Sequence, residues 1–422
     1  MRRLSSIKWR PPPAQVETLS NQQATTVLGS HAWSAVHVLR DDLRSLHPPV
    51  QGPQQPGSRA FPVTTAGNKA RKLQWLFQLP PCEWPRVILS HGGAQSNAMR
   101  ALAGLVWQQR SARGDVEVAT SAALPHFVYV CPPLPAHLKA KPVGNFAAAL
   151  ALGTTIVETP SKRAYHEFTT AVEAVTSRGG WGGSGTADCQ GAHASWHQVL
   201  HAAGLHGHSR QWDRDRPGAS GSVLLVPQGG ATEHAQLGCF SLGQDVVRWW
   251  DARLPSSPGR RLVVALPAGT GTTAYFLHQY LRCRTDISVL CVAAVGNAEY
   301  TRQQMAKLQG CGATAASSLP VVLDPPRAGC TGKQRYRFGG TASDLLAVWQ
   351  ALEAAHLAPD LLYAPVAWAA LAERARDLSA GDNELLYVHT GGAEGVPSQL
   401  ERYRRAGLWE PESGDRIMCC RS

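Results

Sequence analysis

A lysine follows a Gly-Asn turn in Thr65-Ala66-Gly67-Asn68-Lys69-Ala70-Arg71-Lys72-Leu73, at the head of an amphipathic helical pattern. By itself a lysine is ordinarily a solvated surface charge. Held near a helix N-terminus beside Arg71 and Lys72, its ammonium feels positive potential. Its pKa should then fall, making the amine a better nucleophile toward an aldehyde. A second candidate lies in residues 263–274, where an apolar strand runs into Pro267-Ala268-Gly269-Thr270-Gly271-Thr272-Thr273 and a helix start. Free N–H groups, hydroxyl donors and the helix dipole converge there, as a phosphate cradle requires. The loop lacks the lysine of a P-loop and the full GxGxxG spacing, which disfavours a nucleotide. A third junction is Val87-Ile88-Leu89-Ser90-His91-Gly92-Gly93-Ala94-Gln95-Ser96-Asn97. It could present N–H groups to a carboxylate as readily as to a phosphate, or simply cap a helix. Val226-Pro227-Gln228-Gly229-Gly230 and Val388-His389-Thr390-Gly391-Gly392 also end strands in glycine, and either could be a plain turn. Four small-residue loops at the carboxyl ends of strands together outline one ligand crevice.

The elements that must position these loops alternate between short β-branched runs and helical patterns, the signature of an α/β fold with parallel strands. Strands are expected at 36–39, 87–89, 127–130, 155–157, 223–226, 262–266, 289–292 and 385–388. Helices are expected at 97–110, 162–176, 231–250, 274–281 and 343–355. Eight strands in 422 residues exceed one simple doubly wound sheet, so two α/β lobes with a cleft between them are expected. Residues 44–66, with Pro48-Pro49, Pro53 and Pro56, read as an extended loop. Residues 178–220 are rich in Gly, Ser, His and Trp with no sustained period, and read as a long, partly disordered surface excursion.

Composition bounds the function. The chain is 44% hydrophobic and has no apolar run of membrane-spanning length. Its net charge of +11 is dispersed, with small basic groups near the ends such as Arg402, Arg404 and Arg405. A nucleic-acid surface would cluster such charge among aromatics, so a basic soluble protein or one with an anionic ligand is the reading favoured. The ten cysteines form no CxxC pair, and Cys131, Cys239 and Cys291 sit in apolar runs where a reduced, buried thiol is expected. No spacing suits a metal site. The N-terminus is basic but lacks the apolar stretch of a secretory signal, and Pro11-Pro12-Pro13 argues against a targeting helix, so a cytoplasmic location is expected.

Taken in order, the motifs resemble the D-cysteine desulfhydrase and 1-aminocyclopropane-1-carboxylate (ACC) deaminase family of pyridoxal 5'-phosphate (PLP) enzymes, of tryptophan-synthase-β-like fold. The matching residues are Leu39-Arg40-Asp41-Asp42-Leu43, the GNKxRKL motif at 67–73, the GGxQSN loop at 92–97, the Gly/Thr loop at 269–273 and His389-Thr390-Gly391-Gly392. The likeness runs from about residue 11 to about residue 395, interrupted by the two excursions. It implies two open parallel-sheet domains with the cofactor in the cleft (PLP fold type II). A large domain would comprise 11–71 and 216–422, and a small one 72–215, with a glycine-rich insertion at 178–215 and a short extension at 1–10. It implies that Lys69 bonds the PLP aldehyde, that Asn97 meets the phenolic oxygen, and that Ser96 with Gln95 meets the substrate carboxylate. Gly269, Thr270, Gly271, Thr272 and Thr273 would hold the phosphate, and Thr390 would face the pyridine nitrogen. Tyr363 matches a tyrosine beside the substrate, and the assembly implied is a homodimer.

Departures from the pattern fall on the substrate side. Ala98 stands where His or Gln is common, Thr272 where Gly is usual, and Ala364-Pro365-Val366 where Thr-Gly-Lys follows the tyrosine. A Pro-Gly-Tyr-Gly loop carrying a second tyrosine is absent, its region reading Tyr336-Arg337-Phe338-Gly339-Gly340-Thr341. The chain thus reads as a divergent member that keeps the cofactor site and alters the substrate site. Lyase chemistry on a small amino acid, releasing a 2-oxo acid and ammonia, is the expectation. ACC deamination, racemisation, dehydration and silent PLP binding remain as alternatives.

Overall fold

A computed structural model describes residues 14–29, 33–47, 50–51, 62–63, 65–80, 83–114, 125–177, 223–256, 259–308, 319–328, 334–379 and 382–410. Two compact units are present. The larger comprises Met1–Pro49, Thr64–Gln74 and Ala235–Ser422, and the smaller Val50–Val63 and Trp75–His234.

Ten strands build the two principal sheets: β1 Val16–Thr18, β2 Ala35–Leu39, β3 Val87–His91, β4 His126–Cys131, β5 Thr155–Glu158, β6 Val223–Val226, β7 Leu262–Ala268, β8 Ile287–Ala293, β9 Val321–Leu323 and β10 Glu384–Val388. The larger unit orders its strands β1-β2-β10-β7-β8-β9. Among the described residues of this six-stranded sheet, only the β1–β2 pairing is antiparallel. Every residue of β7 and of β10 is buried, the continuous pattern expected of parallel strands covered on both faces. Alternation along β7 sends Val263 and Ala265 into a core with Trp368, Leu371 and Leu385. Leu262, Val264 and Leu266 enter a second core with Trp250, Phe276 and Leu386. Val388 pairs with Leu39, Tyr387 with Ala265, and Ala268 with Ala293. That register brings the loops after β2, β10, β7 and β8 to one edge of the sheet.

The smaller unit holds an all-parallel sheet in the order β5-β4-β3-β6. Val87, Leu89, Val128 and Val130 pack beneath Phe168 and Val172 of the helix Lys162–Ser177. The helices that matter for the site are α1 Gly67–Phe77, α2 Asn97–Gly114, α3 Gly144–Ala151, α4 Gln236–Arg253, α5 Thr272–Leu281 and α6 Ala364–Glu373.

All eight expected strands are present, and the α/β architecture with two open sheets is the one expected. Three expectations need correction. Within residues 44–66, Val50–Gln51 pairs antiparallel with Pro62–Val63 and Ser45 bridges Ala66, so the described parts of this stretch are paired rather than extended loop. The expected domain boundaries near 71 and 215 fall after Gln74 and after His234, because β6 completes the smaller sheet against β3. The helix expected from 231 begins at Gln236, since Gly229 and Gly230 adopt left-handed φ of 73° and 70° and break the chain into short turns. The extension at 1–10 and the insertion at 178–215 lie outside the described residues. No helix among the described residues is long and apolar enough to cross a membrane.

Candidate active site

In the larger unit, the loop after β10 seats the head of α1. Gly67 has φ +65°, and a Cβ there would strike the Thr390 carbonyl oxygen. The Gly67 N–H donates to the Arg44 carbonyl at 2.9 Å and the Asn68 N–H to the Thr390 carbonyl at 3.1 Å. Two residues beyond Lys69, the fully buried Arg71 locks the helix in place. Its guanidinium bonds Asp41 at 2.7 Å, Asp245 at 2.8 Å and the Ser241 hydroxyl at 2.8 Å. A Cβ on Gly238 of α4 would collide with the Arg71 backbone, so that glycine lets the two helices meet. The RDDL and GNKxRKL motifs are therefore one mechanical device.

Lys69 is half-buried, and its Nζ donates to the Asn68 side-chain oxygen at 3.0 Å. Loss of hydration, then the nearby Lys72 charge, brings the ammonium down to about 7, against the opposing pull of Asp360 and Cys239. Burial holds the Cys239 thiol up at about 11, so it stays uncharged beside the two lysines.

The loop after β7 ends in Gly271, which caps α5 with φ +72° and no side-chain cap bond. An added Cβ there would lie 2.7 Å from Met305, so the turn needs glycine for space and for conformation. The Thr270 and Thr272 hydroxyls are 2.8 Å apart. The Thr273 hydroxyl is buried with no nitrogen or oxygen partner, within reach of the Cys239 thiol. Lys72, 4% exposed, points its ammonium at Thr270 Oγ1 from 3.5 Å, and burial lowers its pKa to about 8. Sequence reasoning treated Lys72 as a neighbour of Lys69 rather than as a site residue. The i, i+3 spacing, which puts both lysines on one helical face, was the available signal.

Tyr363 stands over this loop, with its hydroxyl 3.5 Å from where a Gly269 Cβ would be. It is placed by the buried Asp360, whose carboxylate accepts the N–H groups of Leu362, Tyr363 and Ala364 at 2.8, 2.6 and 3.1 Å at the start of α6. Burial, then the Asp360 charge, pushes the Tyr363 hydroxyl well up, so it stays protonated. Phe338 packs on the Tyr363 ring at 5.2 Å, while Tyr336 is absorbed into the core. Thr390 is buried in the loop that seats α1, and His389 beside it donates from Nε2 to the Leu357 carbonyl at 2.8 Å. A separate cavity of about 480 Å³ in this unit contains none of these residues; on its walls Arg335 pairs with Asp324, and Arg302 with Glu299.

In the smaller unit, β3 leads into the 92–97 loop and α2. Tyr129 Oη donates to the Gly93 carbonyl at 3.1 Å, and a Gly92 Cβ would meet that same hydroxyl. Ser96 Oγ accepts the Met99 N–H at 3.3 Å, a helix cap. Both polar ends of Gln95 are engaged. Its Oε1 accepts the Asn145 N–H and its Nε2 donates to the Val143 carbonyl, each at 2.9 Å. Asn145 Nδ2 donates to Asn97 Oδ1 at 2.6 Å. Asn145 escaped sequence reasoning, although its Gly-Asn pair at the start of α3 repeats the pair at 67–68. Lys69, 269–273, Tyr363 and Thr390 are thus gathered in one unit, and Gln95, Ser96 and Asn97 in the other.

A solved structure of an ACC deaminase homologue is similar in fold to this chain. The alignment covers 93% of this chain and 94% of that one, with a TM-score of 0.55 and 16% identity. That likeness shows the fold. An O-ureido-L-serine synthase aligns over 95% and 94% of the two chains, with a TM-score of 0.49 and 13% identity. A fungal L-serine ammonia-lyase from Rhizomucor miehei aligns over 94% and 98%, with a TM-score of 0.49 and 11% identity. No protein-family model and no curated protein matches the chain.

Proposed function

We propose that the chain binds PLP through Lys69 and is a deaminating lyase for a small amino acid, D-cysteine desulfhydrase-like, releasing a 2-oxo acid and ammonia. The observation that carries this reading is a half-buried lysine with its pKa near 7, one helical turn from a second buried lysine aimed at the 269–273 loop. The residues fit the cofactor. The Thr273 hydroxyl, which has no nitrogen or oxygen partner among the described residues, the uncapped head of α5 and the Lys72 ammonium are complementary to a phosphate dianion. Gly269, Thr270, Gly271, Thr272, Thr273 and Lys72 would hold that phosphate. Lys69 would bond the aldehyde, Asn97 would donate to the phenolic oxygen, and Thr390 would face the ring nitrogen. Ser96 would offer its hydroxyl to the substrate carboxylate; Gln95, tied to residues 143 and 145, would shape the loop that receives it.

When bound, PLP supplies an electron sink for charge developing at the substrate Cα. This chain's residues do the proton work. Lys69, with a pKa of about 7, is substantially uncharged near neutral pH and takes the Cα proton on Nζ. Tyr363, kept protonated by burial and the Asp360 charge, can donate a hydrogen bond from its hydroxyl to a leaving group. Phe338, in ring contact with Tyr363, brings no second hydroxyl to that wall. Opening a cyclopropane ring needs further acid/base groups, so a substrate with a β-leaving group is the better match. We place the enzyme in the cytoplasm as a homodimer.

The purified protein should show the visible absorbance of lysine-bound PLP. Borohydride should fix the cofactor irreversibly on Lys69, and 2-oxo acid should be released from one or more of a panel of D- and L-amino acids. A label on another residue, or no bound PLP after reconstitution, overturns the reading. Inverted recovered substrate without oxo acid would replace the lyase with a racemase.

A further inference from the structure

Asn145 is completely buried. Its Nδ2 makes two bonds, to the Gln95 backbone carbonyl at 3.0 Å and to Asn97 Oδ1 at 2.6 Å. A backbone carbonyl can only accept, so the Asn145 atom facing it must be the NH2 group. The Asn97 atom facing that NH2 must then be its oxygen. The polarity of Gln95 is fixed in the same way, between a backbone N–H and a backbone carbonyl. The chain of bonds leaves the half-buried Asn97 side chain one free end, its Nδ2, with no partner among the described residues. Meanwhile Asn145 Oδ1 is buried with no hydrogen-bond partner among the described residues, an arrangement that native cores ordinarily avoid.

Resting on the PLP reading above, we infer that Asn145 is a positioning residue that locks the Asn97 amide with its donor outward, so that this site selects the ionised, acceptor-only form of the cofactor's phenolic oxygen. An unlocked asparagine amide can present either its oxygen or its nitrogen. A locked one discriminates, because flipping it would set the Asn97 NH2 group against the Asn145 NH2 group, two donors facing each other.

The test is N145D, which places acceptors where the NH2 group stands and so favours the reversed Asn97 amide. In the full-length protein, spectrophotometric titration should show PLP binding weakened about 10- to 100-fold. The pH midpoint of the bound cofactor's visible absorbance should move upward, because the ionised phenolic oxygen loses its donor. In an N97A background the same substitution should leave that midpoint where N97A alone puts it. N145S, which removes the amide without adding charge, should move both quantities in the same direction and serves if N145D does not fold. Unchanged affinity and midpoint in a folded Asn145 variant, or a midpoint shift that persists in N97A, overturns the inference. Failure of the wild-type protein to bind PLP overturns the parent reading as well, and is recognised by the missing visible band.

Discussion

Lys69 and Lys72 lie one turn apart on α1, and burial lowers the pKa of both. Lys72 is the more deeply buried, yet Lys69 has the lower pKa, because it also feels Lys72. The neutral amine is the species that attacks an aldehyde. Its fraction grows as pH rises through about 7 and is nearly complete one unit higher. The rate of PLP attachment to apoprotein should therefore climb to about pH 8 and then level off, as followed by stopped-flow absorbance. A rate still rising toward pH 10 would mean an ordinary lysine. K72M removes the second charge, so the midpoint should move upward while PLP affinity falls.

At the scale of elements, the candidate site depends on a close approach that a side chain would block and on a buried ion-pair cluster. Gly271→Ala puts a Cβ into Met305 at a left-handed turn, and should cost about 1–3 kcal/mol in urea unfolding while weakening PLP binding. Arg71→Met leaves Asp41 and Asp245 without their shared cation in a buried setting. Breaking a buried ion pair from one side costs about 3–5 kcal/mol, and urea midpoints should fall accordingly. A small effect would show that α1 is held by packing rather than by Arg71.

The larger unit as a whole is tied at the end of its sheet remote from these loops. Glu384, at the start of β10, is fully buried and bonded to Arg253 at 2.7 Å, Arg260 at 2.9 Å and His37 at 3.0 Å. Burial pushes its carboxyl up, but the bonds from Arg253, Arg260 and His37 outweigh this and hold it at about 2. A depressed carboxylate contributes stability that is present above its unfolded value, near 4.5, and lost as pH falls through about 2. The urea midpoint of the wild type should fall across that window. E384Q should be less stable at neutral pH and show a flatter dependence there; equal slopes would assign the acid response to other carboxylates.

The strands and the glycine-bearing loops at their ends were legible in the sequence because they rest on local rules. Buried parallel strands read as continuous apolar runs, and glycine-rich strand ends mark loops where ligands gather. Edge strand β9 and the hairpin in 44–66 were not legible, since short segments carry too few residues to reveal a period. Nor were Lys72, Asn145 and Phe338 as neighbours of the site. An amide's polarity is decided by which carbonyl it faces, and a lysine's charge by how much water remains around it. Both are properties of chain segments brought together from far apart in sequence: 145 against 95 and 97, 360 and 239 against 69. The sequence alone determined that a lysine at position 69 heads a helix; only the tertiary structure decided that it is desolvated, and that Asn145 occupies the Asn97 amide oxygen and leaves its NH2 end to donate.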